Sequence, residues 1–575
     1  MAVTEAEVRS GVYYDSVVLM QLQRSLAALP GILDAGVVMG TAANKDILAQ
    51  SDLLTPEVQA ATAEDLVIVV RAADEAAARS ALGQVDELLT RRRGGVEQDY
   101  RPKSLESAVQ MLPEAWWVLI SVPGRYAAGV ARQALRLDKN VFLYSDNVPL
   151  DDEISLKHMA AEKGLLVMGP DCGTALVNGI GLGFANRVRR GPIGIVAAAG
   201  TGLQAVTSRI HQLGSGVTHG LGTGSRDLSE AVGAVTARQG LDLLSRDPET
   251  QAIVLISKPP SSQVADEVLR VARSTSKPVV VDFIGYFPPA RQVDNLHFAT
   301  TLDEAANLAV QLAASTPGTD FRAQPAPDLD LSRFAPGQRY LRGLFSGGTL
   351  AYEAMLILQD YLPAVYSNVP LKKEYRLANS LISQAHTIVD LGEDEFTVGR
   401  LHPMLDNDLR IRRLRQEADD AEVAVILLDV VLGYGAHPDP ASELAPAIAE
   451  ARAKAEQAGR YLEVVTVIVG TNEDPQSLDA QVQQLQAAGA RVETSNETAV
   501  RYVGRLLQSL NPIPNIHHLK PVDLSVLHQP LSAINVGLES FTESLIAQGA
   551  PVIQVDWRPP AGGDERLMAI LERLR

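Results

Sequence analysis

The spacing of apolar residues changes repeatedly along the chain, and each change predicts an element. "VVLMQLQRSLAAL" (17–29) has helical period, "ILDAGVVMG" (32–40) and "DLVIVVRA" (65–72) read as strands, and "DEAAARSALGQVDELL" (74–89) returns to an amphipathic helix. Two βα passes of this size predict a small ferredoxin-like α+β module over residues 1–95. The charged, aperiodic "TRRRGGVEQDYRPKS" (90–104) reads as a linker. Beyond it, "WWVLISVPG", "ARQALRLDKNVFLYSD" and "MAAEKGLLVMGPDCG" alternate short strands with helices, which predicts a parallel sheet with crossovers over 105–188. The alternation continues over 189–315 with "GPIGIVAAAGTG", "AIVLISKP", "SSQVADEVLRVARSTS" and "KPVVVDFIGY". A Pro- and Asp-rich joint at 316–338 precedes a third α/β unit over 339–510, built from "YLRGLFSGGTLAYEAMLIL", "HTIVDLG", "AEVAVILLDVVLGYGAH" and "YLEVVTVIVG". After the joint "NPIPNIHHLKP" (511–521), residues 522–575 offer strand, helix and strand, too little for a core of their own, and read as a docking segment. The expected fold class is α/β and multi-domain, with a small α+β module in front.

Composition narrows the class. The 575 residues exceed what one core organises, at about 100–200 residues per domain. A net charge of −18 repels phosphate-rich surfaces and argues against nucleic-acid and membrane partners. The single cysteine, Cys172, excludes an intrachain disulfide framework and a multi-cysteine zinc site. "MAVTEAEVRSG" shows no signal-peptide pattern, and no run reaches the ~18 apolar residues of a membrane span. A soluble cytoplasmic protein is expected.

One design occurs twice, about 150 residues apart, in "IVAAAGTGLQA" (195–205) and "LFSGGTLAYEA" (344–354): an apolar strand, a turn of glycine with Thr, then a helix start. Such turns place bare N–H groups and the positive end of a helix where an anion can sit. The simpler reading makes Thr201 and Thr349 plain N-caps. No "GxxxxGK[ST]" phosphate loop occurs.

"VMGPDCGTALVNGIGLGF", "GPIGIVAAAGTGLQAV", "DPETQAIVLISKPP" and "KPVVVDFIGY" resemble the α subunit of succinyl-CoA synthetase. "GLFSGGTLAYEAM", "DLGEDEF" and "VAVILLDVVLGYG" resemble the CoA-ligase domain of its β subunit. The resemblance implies Rossmann-like and flavodoxin-like domains of that type: a partial CoA-binding-like domain at 105–188, an α-like ligase domain at 189–315 and a β-like one at 339–510. In that enzyme two helices aim their N-termini at the phosphate of a phosphohistidine. Carried over by motif, Gly200, Thr201 and Gly202 form one helix start and Ser346, Gly347, Gly348 and Thr349 the other, with phosphate between them.

Over essentially the whole chain, "GLFSGGTLAYEA", "LGEDEFTVGRLHPMLD", "LLDVVLGYGAHPDPA" and "INVGLESF…VIQVDWRPPAGG" together resemble the FdrA family, described as acyl-CoA synthetase-like. This resemblance implies a subunit of an oxamate carbamoyltransferase-type enzyme in allantoin and purine catabolism. It would move a carbamoyl group between a ureido acid such as oxalurate and phosphate. Companion subunits of the DUF1116 and DUF2877 types and a homo-oligomer are implied with it. The alternatives are an NDP-forming acyl-CoA synthetase and a non-catalytic metabolite-binding scaffold.

The sequence departs from the ligase pattern in three respects. No glycine-rich turn precedes "WWVLISVPG", which removes the usual basis for a CoA site. Where a phosphohistidine loop should follow "KPVVVDFIGY" there is "FPPARQVDNLHFATTLDEAA", whose His297 has no flanking glycines and reads as a packing residue. No nucleotide-grasping domain precedes the β-like half. A two-helix anion cradle without the phosphohistidine is what an enzyme acting on free phosphate, or on the carbamoyl phosphate that the FdrA resemblance implies, would keep. CoA is not expected, and Mg²⁺ is an open candidate.

"GRLHPMLD" (399–406) and "GYGAHPDPA" (433–441) supply His402 and His437 as candidate acid–base groups near neutral pH. In the β-like resemblance Gly433, Tyr434 and Gly435 would bind a substrate carboxylate, with Arg400 or Arg410 as a clamp. Cys172 and Asn178, in the stretch matched to the α subunit, are further substrate-binding candidates, although Cys172 also reads as a buried structural thiol. Asp394, Glu395, Asp406, Asp429 and Asp439 form a candidate set for a hard cation such as Mg²⁺, and Arg125 in "VPGRYA" a candidate anion contact.

Overall fold

The computed structural model of the protein describes residues 2–10, 16–90, 102–286, 288, 290–314, 330–397, 400–511, 529–536 and 538–556. They fall into two units, Met1–Asn511 and Pro512–Arg575. The joint at 511–521 beyond Asn511 and most of the linkers at 90–104 and 316–338 lie outside the described residues.

In the N-terminal module, strand Asp65–Ala72 sits between Val3–Ser10 and Ile32–Met39, both antiparallel to it. Its alternate residues serve two faces, as a period of two requires. Leu66, Ile68 and Val70 pack with Leu19, Leu22 and Leu26 of helix Ser16–Ala27, while Val67 and Val69 pack with Leu48, Leu53 and Val58. The stretch read as one helix over 74–89 is two, Glu75–Gly83 and Val85–Thr90, broken at Gln84.

Three parallel strands, Trp117–Ile120, Asn140–Leu143 and Val167–Met168, form the partial Rossmann-like sheet. The hairpin Thr174–Val177/Ile180–Gly183, expected within 105–188, instead joins the next sheet, with Leu176 opposite Gly220. That eight-stranded sheet has a parallel centre of Leu296–Phe298, Val279–Phe283, Ala252–Ser257, Ile193–Ala197 and Val217–Gly222. Fully parallel, the third sheet runs Tyr366–Ser367, Thr387–Asp390, Tyr340–Phe345, Val423–Val431, Glu463–Val469 and Arg491–Glu493. Strands Val423–Val431 and Glu463–Val469 are buried at every position and largely apolar, with Asp429, Glu463 and Thr466 as exceptions, because both faces of the sheet are covered.

The two ligase-like halves do not keep separate cores. Ile195, Leu203 and Val206 belong to one cluster with Phe345, Leu350, Met355 and Leu507. Polar contacts reinforce the joint where two helix N-termini meet. Thr301 caps helix Leu302–Ala313 and donates to Glu497 at 2.9 Å; Ser495 caps helix Asn496–Leu510 and donates to Asp303. Each cap thus reaches an acidic residue in the first turn of the other helix. The Rossmann-like part is tied to the first half by charge: Lys157 lies wholly buried 3.0 Å from Glu153 and 2.7 Å from Asp227.

In the C-terminal unit, strand Ala533–Val536, helix Glu539–Ala547 and strand Val552–Val555 form the strand–helix–strand predicted, with the strands parallel. Among the described residues no helix is long and apolar enough to cross a membrane.

Candidate functional site

Both glycine turns stand at the carboxyl ends of interior strands, Ile193–Ala197 and Tyr340–Phe345. Helices Gly200–Gln212 and Gly348–Leu358 start there side by side. A Cβ placed on Gly347 would stand 2.7 Å from Thr201 Cγ2, and one on Gly202 3.1 Å from Thr349 Cγ2. Each threonine therefore packs its methyl on the other turn's glycine, and the two helix ends touch directly. An anion shared by them would sit at the open end of this seam, not in a gap between the turns. The N-cap positions are Ala199 and Gly347, neither with a side-chain cap, so Thr201 and Thr349 are not caps. Both threonines are buried, and among the described residues neither hydroxyl makes a hydrogen bond.

The two turns differ in what they already hold. Asp429, in strand Val423–Val431, accepts from the N–H groups of Ser346 (2.7 Å) and Gly347 (2.8 Å), and Ser346 Oγ lies 3.0 Å from both its oxygens. Arg410, a predicted clamp, is 3.5 Å from the same carboxylate and donates to the Asp429 carbonyl, so it supports the turn from behind. Intrahelical bonding begins with the N–H of Leu203 in the first helix and of Ala351 in the second. The N–H groups of Gly200, Thr201 and Gly202, and of Gly348, Thr349 and Leu350, are left for a ligand.

Lys258 and Asp390 complete the site. Lys258 follows strand Ala252–Ser257 and Asp390 ends strand Thr387–Asp390, the carboxyl-end positions from which parallel sheets present ligand groups. Both border Gly348: Asp390 Oδ2 meets the point where its Cβ would be, and Lys258 Nζ lies 3.5 Å from that point. They do not pair with each other. Among the described residues Lys258 Nζ has no hydrogen bond or ion pair, and Asp390 uses only Oδ1, which accepts from the Gly392 N–H at 2.9 Å. Burial, followed by the charge of Glu393, raises the pKa of Asp390 well above the usual carboxylate range, against the pull of Lys258.

His402 reaches the same place. Its Nε2 lies 2.9 Å from the Cβ position of Gly392, which also borders Asp390 Oδ1, and its ring packs 5.5 Å from that of Phe184. Desolvation, then Arg410, push its pKa down to about 4. Its Nδ1 accepts from the Met404 N–H at 3.2 Å, so in the neutral ring Nε2 carries the proton. This makes His402 a hydrogen-bond donor rather than the near-neutral acid–base expected.

The remaining candidates lie elsewhere. His437 contacts Arg24 of the N-terminal module at 2.9 Å and Glu443 at 3.2 Å, while Nδ1 accepts from the Asp439 N–H, so it joins module to ligase half. Arg400 lines a cavity of about 30 Å³ with Leu19, Val37 and Phe396, also between module and ligase half. Gly433 and Tyr434 have their backbone engaged within the protein: Tyr434 and Ala185 exchange both main-chain hydrogen bonds, Gln476 takes the N–H and C=O of Gly433, and Gly435 packs against the Gly183 carbonyl. Cys172 is buried beside Gly222, with its thiol pushed up to about 12 by desolvation. Asn178 sits at an exposed hairpin tip bonded to His219 and Arg190, at the amino ends of the parallel strands. His297 belongs to strand Leu296–Phe298, paired with Val280.

The five carboxylates considered for Mg²⁺ do not converge. Asp429 holds the second turn, Asp439 caps helix Pro440–Gln457, Asp406 faces Arg24, Glu395 accepts from Asn368 and Ser380, and Asp394 is exposed. Among the described residues no group of three or more His, Cys, Asp or Glu is arranged to hold a metal ion. Arg125 pairs with Glu64 at 3.3 Å, and Gly124 beside it is pressed against the Asn147 backbone, which closes that helix start. Lys258 and Asp390 were missed by residue-type reasoning, yet both end strands that the apolar pattern identifies, "AIVLISKP" and "HTIVDLG".

Residues 344–506 match the CoA-ligase family, and residues 1–103 match the AllF heavy metal-associated domain. That module contains no cysteine, so it lacks the thiolates that suit a soft heavy metal. The uncharacterized protein YahF of Escherichia coli (strain K12) is 43% identical over 492 residues, 85% of this chain and 96% of its own length. The α subunit of the ADP-forming succinate–CoA ligase of Aquifex aeolicus (strain VF5) is 25% identical over 177 residues, 30% of this chain and 57% of that subunit. A solved structure of the dinucleotide-forming acetyl-coenzyme A synthetase 1 of Ca. Korarchaeum cryptofilum, in complex with phosphate and ADP, covers 69% of this chain and 82% of that one, at 15% identity and a TM-score of 0.29.

Proposed function

This chain belongs to the FdrA family of YahF and is succinyl-CoA synthetase-like, and from that membership we propose that it acts on the bond between an acyl group and phosphate. The phosphoryl group is held where helices Gly200–Gln212 and Gly348–Leu358 meet. One observation carries the reading: the two helix ends touch through Thr201 on Gly347 and Thr349 on Gly202, with unbonded N–H groups and hydroxyls on both. A phosphoryl dianion there takes charge-assisted hydrogen bonds from both halves and the ammonium of Lys258. His402 Nε2–H is a further donor for oxygen developing negative charge.

An acyl phosphate fits the ligase family on chemical grounds. An ADP-forming synthetase must pass the energy of a phosphoryl group to a carboxyl, and their mixed anhydride is the species that does so. Carbamoyl phosphate has the same phosphoryl end, so carbamoyl transfer to an acid such as oxamate is the narrower reading; His402 Nε2 carries a proton because Nδ1 accepts from Met404, and His297 lies within a strand, which favours a route without phosphohistidine.

Isothermal titration with inorganic phosphate and with acetyl phosphate tests this. Wild type should bind both, and Gly202→Val, which wedges Thr349, should bind at least about 10-fold more weakly with its circular dichroism unchanged. No binding by wild type, or equal binding by a folded Gly202→Val, refutes the assignment. Phosphate release from carbamoyl phosphate that requires oxamate would select the carbamoyl reading.

A further inference from the structure

Asp390, Asp429 and His402 border the second turn or the Gly392 beside it, and their bonding separates them. Asp429 has both oxygens engaged by Ser346 and Gly347. His402 offers no lone pair, because Nδ1 is occupied and Nε2 is protonated. Asp390 alone of the three keeps a free oxygen. Its backbone is pinned on both sides by Asn368, which accepts from the Asp390 N–H at 3.0 Å and donates to its carbonyl at 2.9 Å. With Oδ1 tied to Gly392 and the residue only 2% exposed, Oδ2 has a fixed direction, toward the start of helix Gly348–Leu358.

Lys258 supplies the second observation. Its unpartnered ammonium comes from the other half of the molecule and borders the same glycine, yet it forms no ion pair with Asp390. A half-buried lysine and a buried aspartate bordering one point without pairing leave a place for a group between them that both contact.

We propose that Asp390 is the covalent phosphoryl acceptor of this site, attacking the phosphorus of a bound acyl phosphate through Oδ2. This rests on the acyl phosphate reading. A lone pair of Oδ2 forms the new P–O bond. The attacking form is the ionised carboxylate, which Lys258 favours; the bond between phosphorus and the acyl oxygen breaks, the acyl carboxylate leaves with its electron pair, and from that form no proton is gained or lost. The product at Asp390 is itself a mixed anhydride, so its transfer potential resembles that of the donor and the step runs in both directions. The N–H groups of Gly348, Thr349 and Leu350 and the ammonium of Lys258 bind the equatorial oxygens through which the charge passes.

The test uses the full chain with radiolabelled acetyl phosphate, acid quench, and borohydride reduction, which converts an aspartyl phosphate to homoserine detectable by mass spectrometry. A label lost in alkali or hydroxylamine, with homoserine at position 390, is the expected result. Asp390→Asn should abolish it, and Lys258→Met should slow its appearance about 10-fold or more. An alkali-stable label, or homoserine at another position, overturns the proposal. Titration of the same preparation with inorganic phosphate separates the two levels: binding without label removes the covalent step and leaves the phosphate site, whereas neither binding nor label removes both.

Discussion

Gly347→Ala is the sharpest test of how the two halves meet. Gly347 has φ −111°, a conformation open to alanine, so backbone strain does not enter. The added Cβ would stand 2.7 Å from Thr201 Cγ2 and 3.0 Å from Thr201 Cβ and Oγ1. Carbon atoms rest at about 3.5–4.0 Å, so the helix ends must separate by roughly 1 Å. Thr201 is buried and cannot swing aside without disturbing the first helix. Overpacking of this kind costs about 1–3 kcal/mol, and a shift of about 1 Å across a two-sided anion site should weaken phosphate binding strongly. Thr201→Ser removes the nearest atom, and in the double variant it should recover at least half of the loss, a coupling of about 0.5–3 kcal/mol. Gly202→Ala is the internal control. Its contacts with Thr349, Ala199 and Ile256 are 3.1–3.2 Å, and alanine inside a helix regains about 1 kcal/mol, so its net effect should be small. Urea unfolding followed by circular dichroism, with phosphate titration on the same proteins, reads both quantities. A Gly347→Ala protein equal to wild type in both, or a double variant no better than the single, would refute direct contact of the two turns.

Two further outcomes follow from buried charge. Lys157→Met leaves buried Asp227 with only the Thr236 and Ala237 N–H groups, while Glu153 keeps Arg226 at 2.9 Å, and should lower unfolding stability by about 3 kcal/mol in urea; a loss below about 1 kcal/mol would mean that Arg226, water or rearrangement replaces the ammonium. Glu353 is raised to about 8 from 4.5 by burial, against hydrogen bonds from Asn496 and Leu302. Between those values the folded state holds a proton that the unfolded chain has released, so stability falls as pH rises from about 4.5 to 8. Thermal melts over that range should show a shallower decline for Glu353→Gln than for wild type, and equal slopes would exclude Glu353 as the source.

What the sequence by itself determined is local. Period in the apolar positions located the strands that end at Ala197, Ser257, Phe345 and Asp390, and the glycine–threonine turns marked two helix starts suited to an anion. The strand–helix–strand near the C-terminus was legible for the same reason: backbone hydrogen bonding imposes a period of two or 3.6 that any short window displays. Residue type misled where a side chain or loop was suited to chemistry but used for assembly. His437 bonds the N-terminal module, the Gly433–Gly435 loop bonds Ala185, and the acidic residues serve helix starts and arginines. Only the tertiary structure decided that Thr201 packs on Gly347, that Lys258 and Asp390 border one glycine without pairing, and that His402 is held neutral. These facts depend on sheet order and on which helices cross, which bring residues more than a hundred positions apart within contact distance. Apolar burial sets that arrangement through a core shared by both halves, and no stretch of either half carries it alone.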